Sequence, residues 1–142
     1  PPWARNATST VVKTPKVYWL DLGLLRSGVR QWGPLTGEQF ETLVVAEIHK
    51  WVRTLAREVD LFFYRTRSGM EVDLLLQTPT GVIGVEIKQR PHATGRDTRA
   101  LRALADALGT EWRGGLVITR GGAVEPLDRT RDLWAVPVHR LL

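Results

Sequence analysis

The sequence contains no cysteine, which excludes a disulfide framework, a thiol nucleophile and a Cys-ligated zinc site. No apolar run approaches the ~20 residues that a membrane-spanning helix needs. The only histidines, His49, His92 and His139, lack metal-ligand spacing and are typical of surface residues. Neither a GxSxG nucleophile elbow nor a GxxxxGK(S/T) phosphate loop occurs. The sequence therefore argues against cysteine and zinc chemistry, an elbow-type serine hydrolase and ATP binding through a phosphate loop.

Arginine supplies most of the positive charge, since sixteen of the twenty basic residues are Arg and the net charge is +5. Guanidinium groups bind phosphate bidentately, so this excess favours a nucleic-acid partner. A GC-rich genome or an ordinary requirement for solubility would produce the same excess. The 142 residues suit one domain, and a start without Met indicates a piece of a longer chain. We expect a linker or disordered segment over residues 1–15 and a single domain over residues 16–142.

Three consecutive strands are predicted, over Leu61–Thr66, Glu71–Gln77 and Val82–Lys88. Turn signals separate them, first at Ser68-Gly69 and then at the sequence TPTG. If TPTG forms a four-residue hairpin loop, Gln77 pairs with Val82 and the pairing continues symmetrically away from the loop.

This register brings four charged side chains together. Asp73 lies opposite Glu86, Glu71 lies opposite Lys88, and strand alternation turns all four toward one face. The other face carries apolar residues, namely Val72, Val85 and Ile87. Opposed residues have Cβ atoms roughly 4.5–5.5 Å apart, a separation at which two bare carboxylates destabilise each other. A hard divalent cation with oxygen ligands would compensate for the repulsion between Asp73 and Glu86, and Lys88 adds a positive charge beside them.

A helix is predicted from Thr36 to about Leu55, with Trp51 in its apolar stripe and Thr42 and Ala46 opposite. Two glutamates, Glu41 and Glu47, interrupt the stripe. A carboxylate that faces a core or cleft needs a partner, so each is a candidate for contact with the strand carboxylates. The alternative for each is a place at the edge of the stripe, in solvent or beside an Arg.

The remaining elements give an α/β order with a mixed sheet flanked by helices. They are a capped turn or short helix over Asp21–Leu25, a helix capped by Asp97 and ending at Leu108, a buried strand over Gly115–Thr119 and an edge strand over Leu133–Val138. The helix capped by Asp97 presents Arg96, Arg99 and Arg102 outward. The crossover through this helix should be right-handed and should join parallel strands.

These motifs resemble two known groups of proteins. An acidic helix residue, then Asp73, then Glu86-Ile87-Lys88 on the next strand, in a restriction-endonuclease-like αβββαβ core, look like the PD-(D/E)XK nuclease superfamily. Val72 stands where a Pro is usual in that superfamily. More narrowly, the chain resembles the DUF4143 domain at the C-terminus of a prokaryotic family of AAA+-type ATPases. The matching segments are Lys16–Leu25, Phe40-Glu41, Ala46-Glu47-Ile48, Tyr64–Asp73, Val85–Lys88 and Leu133–Val138.

The resemblance implies a cytoplasmic domain that hydrolyses phosphodiester bonds of DNA with Mg²⁺ or Mn²⁺, joined to an upstream ATPase domain of the same full-length chain. It implies that Asp73, Glu86 and Glu41 hold the metal, with Glu47 as the alternative helix acid and Glu71 as an additional candidate. Lys88 would orient the attacking water or stabilise the charge of the transition state. A cross-strand pair between Lys88 and Glu71 is the structural alternative.

Four arginines are candidates for contact with DNA: Arg65, Arg67, Arg99 and Arg102. Arg65 and Arg67 are alternatively solvated charges on an edge strand that discourage aggregation. Besides an active nuclease, the sequence leaves two functions open. One is an inactive nuclease-fold module that binds DNA or a protein, and the other is a structural or oligomerisation domain.

Overall fold

The computed structural model describes residues 16–55 and 58–142, so the predicted linker over residues 1–15 lies outside the described residues. Its helices are α1 Leu22–Gly28, α2 Gly37–Thr54 and α3 Arg99–Leu108, with short 3-10 helices at Gly109–Glu111 and Val138–Arg140. In this described part of the chain no helix is long and apolar enough to cross a membrane. The predicted helix starts at Asp21 and Thr36 are confirmed. Asp21 accepts a hydrogen bond from the Leu24 N–H, and Thr36 and Gln39 form a capping box.

Among the described residues, six strands form one mixed sheet in the order β1-β2-β3-β4-β6-β5. They are β1 Asp60–Arg65, β2 Glu71–Thr78, β3 Gly81–Ile87, β4 Trp112–Thr119, β5 Glu125–Asp128 and β6 Leu133–Pro137. The first three strands are antiparallel, α3 leads into β4 parallel to β3, and β6 lies parallel to β4. The predicted α/β class, the mixed sheet with flanking helices and the parallel crossover are confirmed.

Two apolar clusters pack on the sheet, one with each long helix. The α3 cluster contains Leu101, Leu104 and Leu108, and the α2 cluster contains Phe40, Val44, Ile48 and Val52. Consecutive β4 residues, Val117 and Ile118, belong to the α3 and α2 clusters respectively, as the two-residue period of a strand requires. The sheet is therefore covered by apolar contacts on both faces, with α2 on one face and α3 on the other.

The β2–β3 hairpin has the predicted register. Gln77 pairs with Val82 and Leu74 with Val85, and Asp73 and Glu86 are the next residues outward from the loop. The pairing between β1 and β2, however, shifts between Phe62 and Tyr64, so that Asp73 and Leu74 stand against the single residue Phe63. This arrangement is a β-bulge in β2.

The bulge overturns one predicted face assignment. Val72 packs in the α3 cluster, whereas Val85 and Ile87 pack in the α2 cluster, so Val72 does not share a face with them. A regular strand would have kept the two-residue alternation, but the extra residue in β2 reverses it on the Val72 side of the bulge.

The predicted edge strand is also misplaced. β6 lies inside the sheet, because the unpredicted strand β5 pairs with it and forms the edge. β5 has only four residues and includes Pro126, so its sequence carries little strand signal. Pro137 is the last residue of β6, opposite Thr119 of β4.

Two helix details differ from the prediction. Asp97 does not cap α3. Its carboxylate accepts hydrogen bonds from the N–H and the hydroxyl of Thr94 and pairs with Arg90, so it fixes the preceding loop instead. In α2, Trp51 is 56% exposed while Thr42 and Ala46 are buried. Both flanks of α2 therefore carry buried residues, and α1 also packs against this helix.

Candidate functional site

Asp73 and Glu86 meet at the open end of the β2–β3 hairpin. The two residues are 7% and 8% exposed. The Ile87 N–H donates a hydrogen bond of 2.8 Å to Asp73 Oδ2, which ties the carboxylate of the bulged strand to β3. Lys88, directly after β3, lies between the pair, with Nζ 2.6 Å from Glu86 Oε1 and 4.0 Å from Asp73 Oδ2. The structure therefore brings together the three strand residues selected from the sequence.

Burial dominates the electrostatics of this pair. The pKa of Glu86 is raised to about 7, mainly by burial and then by the Asp73 charge, while Lys88 opposes both effects. The pKa of Asp73 is also raised, by burial and by the Glu41 charge, against the Ile87 N–H, Lys88 and Lys16. Burial alone would lower the pKa of Lys88, but its hydrogen bond to Glu86 and the nearby carboxylates raise it. The site holds more negative charge than its protein surroundings compensate.

The raised pKa of Glu86 predicts a pH effect on the stability of the metal-free protein. Glu86 binds its proton more tightly in the folded protein, with a pKa of about 7 against 4.5, so its contribution favours folding below pH 4.5 and is lost as the pH rises to 7. We expect Glu86→Gln to remove about 1–3 kcal/mol of destabilisation between pH 5 and pH 7.5. Denaturant unfolding with a chelator at both pH values measures this. The same pH dependence in the wild type and the variant would contradict it.

Glu41, on α2, is linked to the same place by Lys16 and Tyr18, two residues that the sequence did not single out. Tyr18 Oη donates a hydrogen bond of 2.7 Å to Glu41 Oε1, and Lys16 Nζ lies 3.2 Å from the same oxygen. The Lys16 ammonium also pairs with Glu71 and lies 3.6 Å from Asp73 Oδ1. Burial and the hydrogen bond to Glu41 raise the pKa of the Tyr18 hydroxyl far above its usual value.

The sequence KVYWL over residues 16–20 is mostly apolar, so its composition does not indicate contact with a charged site. The structure shows alternation in this segment, with Lys16 and Tyr18 half-buried and Val17 and Trp19 exposed. Lys16 and Tyr18 are two residues apart, so in an extended segment they lie on the same side. This spacing was the sequence signal that one side of the segment faces a charged site.

The two other candidate acids have different surroundings. Glu47 pairs with Lys50 at 2.7 Å and lines a separate cleft with Ile48 and Trp51. It lies six residues beyond Glu41, which is about 9 Å along the helix axis, so it does not join the strand carboxylates. Glu71 contacts Lys16 and, at 3.7 Å, Arg65. The predicted pair between Glu71 and Lys88 is wrong, because Lys88 instead contacts Glu86 and Asp73.

Asp73 and Glu86 fit a small hard cation. Mg²⁺ is usually held by one or two carboxylates and completes its shell with water and substrate phosphate oxygens. Glu86 Oε2 is buried without a hydrogen-bond partner, and such an atom is a suitable oxygen ligand. Within residues 16–55 and 58–142, no three Asp, Glu or His side chains are grouped closely enough to hold a metal together. The carboxylate of Glu41 contacts Lys16 and Tyr18 and is not grouped with the carboxylates of Asp73 and Glu86.

An open cleft of about 570 Å³ lies beside Glu86. It lies between the β1–β2 turn, with Ser68, Gly69 and Met70, and the start of α3, with Arg96 and Arg99. Both arginines are exposed. Of the other predicted DNA contacts, Arg67 is exposed on the same turn and Arg65 lies 3.7 Å from Glu71.

Arg102 does not have the exposed position expected of it. It is half-buried, and its Nε lies 3.0 Å from Asp128 Oδ2, which Arg131 also contacts at 3.2 Å. Arg102 therefore connects α3 to the β5 edge of the sheet. Arg96, just before α3, and Arg99, its first residue, remain the arginines that line the cleft beside Glu86.

Comparison with protein families identifies a match over most of the chain. The family model described as "Domain of unknown function (DUF4143)" matches residues 36–141, about three quarters of the chain. The matched region includes Glu41, Asp73, Glu86 and Lys88, whereas Lys16 and Tyr18 lie outside it. No curated protein sequence matches the chain.

Proposed function

The chain belongs to the DUF4143 family, and because that family name carries no activity, we propose from the geometry of the site that this domain is a Mg²⁺- or Mn²⁺-dependent DNA endonuclease. The observation that carries the proposal is the buried pair Asp73 and Glu86, with Lys88 between them and Glu86 Oε2 without a partner. Two like charges kept in a buried place, without full compensation, are more typical of a functional site than of a structural one.

Placement in the PD-(D/E)XK nuclease superfamily is part of this proposal. Four features support it: a helix acid near the site, Asp73 on the second strand, the Glu-Ile-Lys sequence on the third, and a fourth strand that follows a helix and lies parallel to the third. A fold does not by itself determine an activity, which depends on the residues of the site.

The residues have separate tasks in phosphodiester hydrolysis. A bound Mg²⁺ or Mn²⁺ would polarise a phosphoryl oxygen and lower the pKa of a water molecule. Asp73 and Glu86 would hold the cation, and Asp73 is kept in place by the Ile87 N–H. Lys88 Nζ donates hydrogen bonds to the attacking water or to the phosphoryl oxygens, which gain negative charge. A bond forms between the water oxygen and phosphorus, one ester P–O bond breaks, and a proton from the water ends on the leaving oxygen.

Arg96 and Arg99 would attract the substrate to the site. A cluster of carboxylates repels a polyanion, so a nuclease needs positive charge around its acidic centre. The exposed guanidinium groups of Arg96 and Arg99 line the same cleft as Glu86, where each can bind a backbone phosphate bidentately. DNA is therefore proposed to lie in this cleft, between the β1–β2 turn and α3.

An upstream ATPase domain of the same full-length chain and a cytoplasmic location belong to the proposal. Both rest on the resemblance to the DUF4143 domains of AAA+-type ATPases.

A cleavage assay tests the proposed function. Purified protein is incubated with supercoiled plasmid and with branched DNA, in Mg²⁺, Mn²⁺ or EDTA. We expect cleavage with either metal, none in EDTA, and none with Asp73→Asn, which keeps an oxygen to accept the Ile87 N–H. DNA left uncut under every metal condition would contradict the proposal.

A binding module is the second candidate function. It is favoured by the Lys16 ammonium, which partly neutralises Glu41, Glu71 and Asp73 without any metal. For this function DNA binding persists in EDTA and no cleavage accompanies it. The same samples, analysed by electrophoretic mobility shift, separate the two candidates.

A further inference from the structure

We infer that Lys16 is a built-in competitor for the divalent cation: the acidic site holds either the Lys16 ammonium or the metal with its full set of carboxylates. The inference rests on the proposed metal site. It assigns a role to a residue outside the matched family region.

The surroundings of Lys16 are those of a bound cation. Its ammonium pairs with Glu71 and lies 3.2 Å from Glu41 Oε1 and 3.6 Å from Asp73 Oδ1. One of these carboxylates lies on α2 and the other two lie on β2. The single Lys16 charge therefore connects elements that are far apart in sequence. The side chain is only 24% exposed, which places the charge inside the site and not on its rim.

Both cations would draw on the carboxylates of Asp73 and Glu41, but with different geometry. A bound Mg²⁺ lies about 2.0–2.1 Å from its oxygen ligands, whereas an ammonium hydrogen bond places nitrogen about 2.7–2.9 Å from oxygen. Asp73 and Glu41 would need to turn toward the metal and away from Lys16. A divalent charge next to Asp73 also repels an ammonium that contacts the same carboxylate.

Charge accounting supports an exchange. Glu41, Glu71, Asp73 and Glu86 carry four negative charges when ionised, against three positive charges from Lys16, Lys88 and Arg65, which lies 3.7 Å from Glu71. Lys88 stays at Glu86 through its place directly after β3, while Lys16 lies on a segment before α1 that has no strand partner. Lys16 is therefore the cation that can leave, and its departure would free Glu41 to become the third metal ligand.

Metal binding to Lys16 variants tests the competition. Mn²⁺ affinity is measured by calorimetry on chelator-treated wild type, Lys16→Met and Asp73→Asn. Lys50→Met is the matched control, because Lys50 contacts Glu47 outside the site. If Lys16 occupies the site nine tenths of the time, its removal should tighten Mn²⁺ binding about tenfold. Lys50→Met should leave the affinity within about twofold of the wild type, since a distant surface charge is screened.

A second measurement uses the wild type without mutation. Acetylation by a lysine-reactive ester is followed by mass spectrometry at Lys16 and at Lys50. Saturating Mn²⁺ should speed the modification of Lys16, because its ammonium leaves the carboxylates, and should not change that of Lys50. Lys16→Gln, which retains hydrogen-bond donors, replaces Lys16→Met if the apolar variant does not fold.

Every possible result of the Mn²⁺ binding measurements supports or contradicts the competition between Lys16 and the metal. Tighter Mn²⁺ binding by the Lys16 variant, including binding seen in that variant alone, supports the competition. Equal or weaker binding by the Lys16 variant overturns it. If wild type and Lys16→Met bind equally while Asp73→Asn does not bind, the proposed metal site stands and only the competition fails. If neither wild type nor Lys16→Met binds metal, both inferences fail.

Discussion

Lys88→Ala should reduce metal-dependent DNA cleavage by about 10²–10³-fold while DNA affinity stays within severalfold of the wild type. Lys88 is placed for transition-state contacts, since its Nζ lies between the two buried carboxylates at 2.6 Å and 4.0 Å. Stabilisation of a transition state is concentrated in a few donors, whereas affinity for the phosphate backbone is spread over many. Single-turnover cleavage rates and a filter-binding titration measure the two effects separately.

Arg99→Ala should show the reverse pattern. Arg99 lines the cleft beside Glu86, so its loss should weaken DNA binding severalfold and reduce the salt dependence by about one counterion. The cleavage rate of bound DNA should change little. Arg113→Ala is the matched control, because Arg113 donates to the Thr80 carbonyl at the far end of the hairpin. If Lys88→Ala and Arg99→Ala lost binding and cleavage in parallel, the separate roles assigned to them would be wrong.

Asp73→Asn should abolish the thermal stabilisation that Mg²⁺ or Mn²⁺ gives to the wild type. A ligand at one hundred times its Kd stabilises the folded state by about 2.7 kcal/mol, which raises Tm by several degrees in a domain of this size. Asn removes the anionic ligand and can still accept the hydrogen bond from the Ile87 N–H. Without metal, the variant should be as stable as the wild type or more stable, because it lacks the repulsion with Glu86.

Differential scanning fluorimetry with and without metal measures this change. Glu47→Gln is a suitable control, since Glu47 pairs with Lys50 away from the site. It should keep the metal response of the wild type. An equal metal response in Asp73→Asn would place the cation elsewhere in the protein.

The strand part of the site could be predicted because it depends on local geometry. A tight loop with symmetric pairing determines which residues of β2 and β3 stand near one another, and Asp73, Glu86 and Lys88 follow from it. The position of Val72 could not be predicted in this way. It depends on the bulge, which arises from the pairing of β2 with β1 and leaves no local signal in β2.

The choice of helix acid required tertiary information. Periodicity left Glu41 and Glu47 equivalent, and contact with Tyr18 and Lys16 distinguishes them. These two contacts join residues that are 23 and 25 positions apart in the sequence, so the helical periodicity of α2 alone does not reveal them. The edge of the sheet was missed for a similar reason, since β5 is a strand only because β6 offers it a partner.

The partnerless oxygen of Glu86 has a consequence for protein engineering. A search for thermostable variants of the metal-free protein rewards every change that removes an uncompensated buried charge. Substitutions at Glu86 and Asp73 should therefore be among the first variants that such a search recovers, although both residues are buried. Stability screens on this domain would erode the proposed site unless they are run with metal present or paired with a selection for activity.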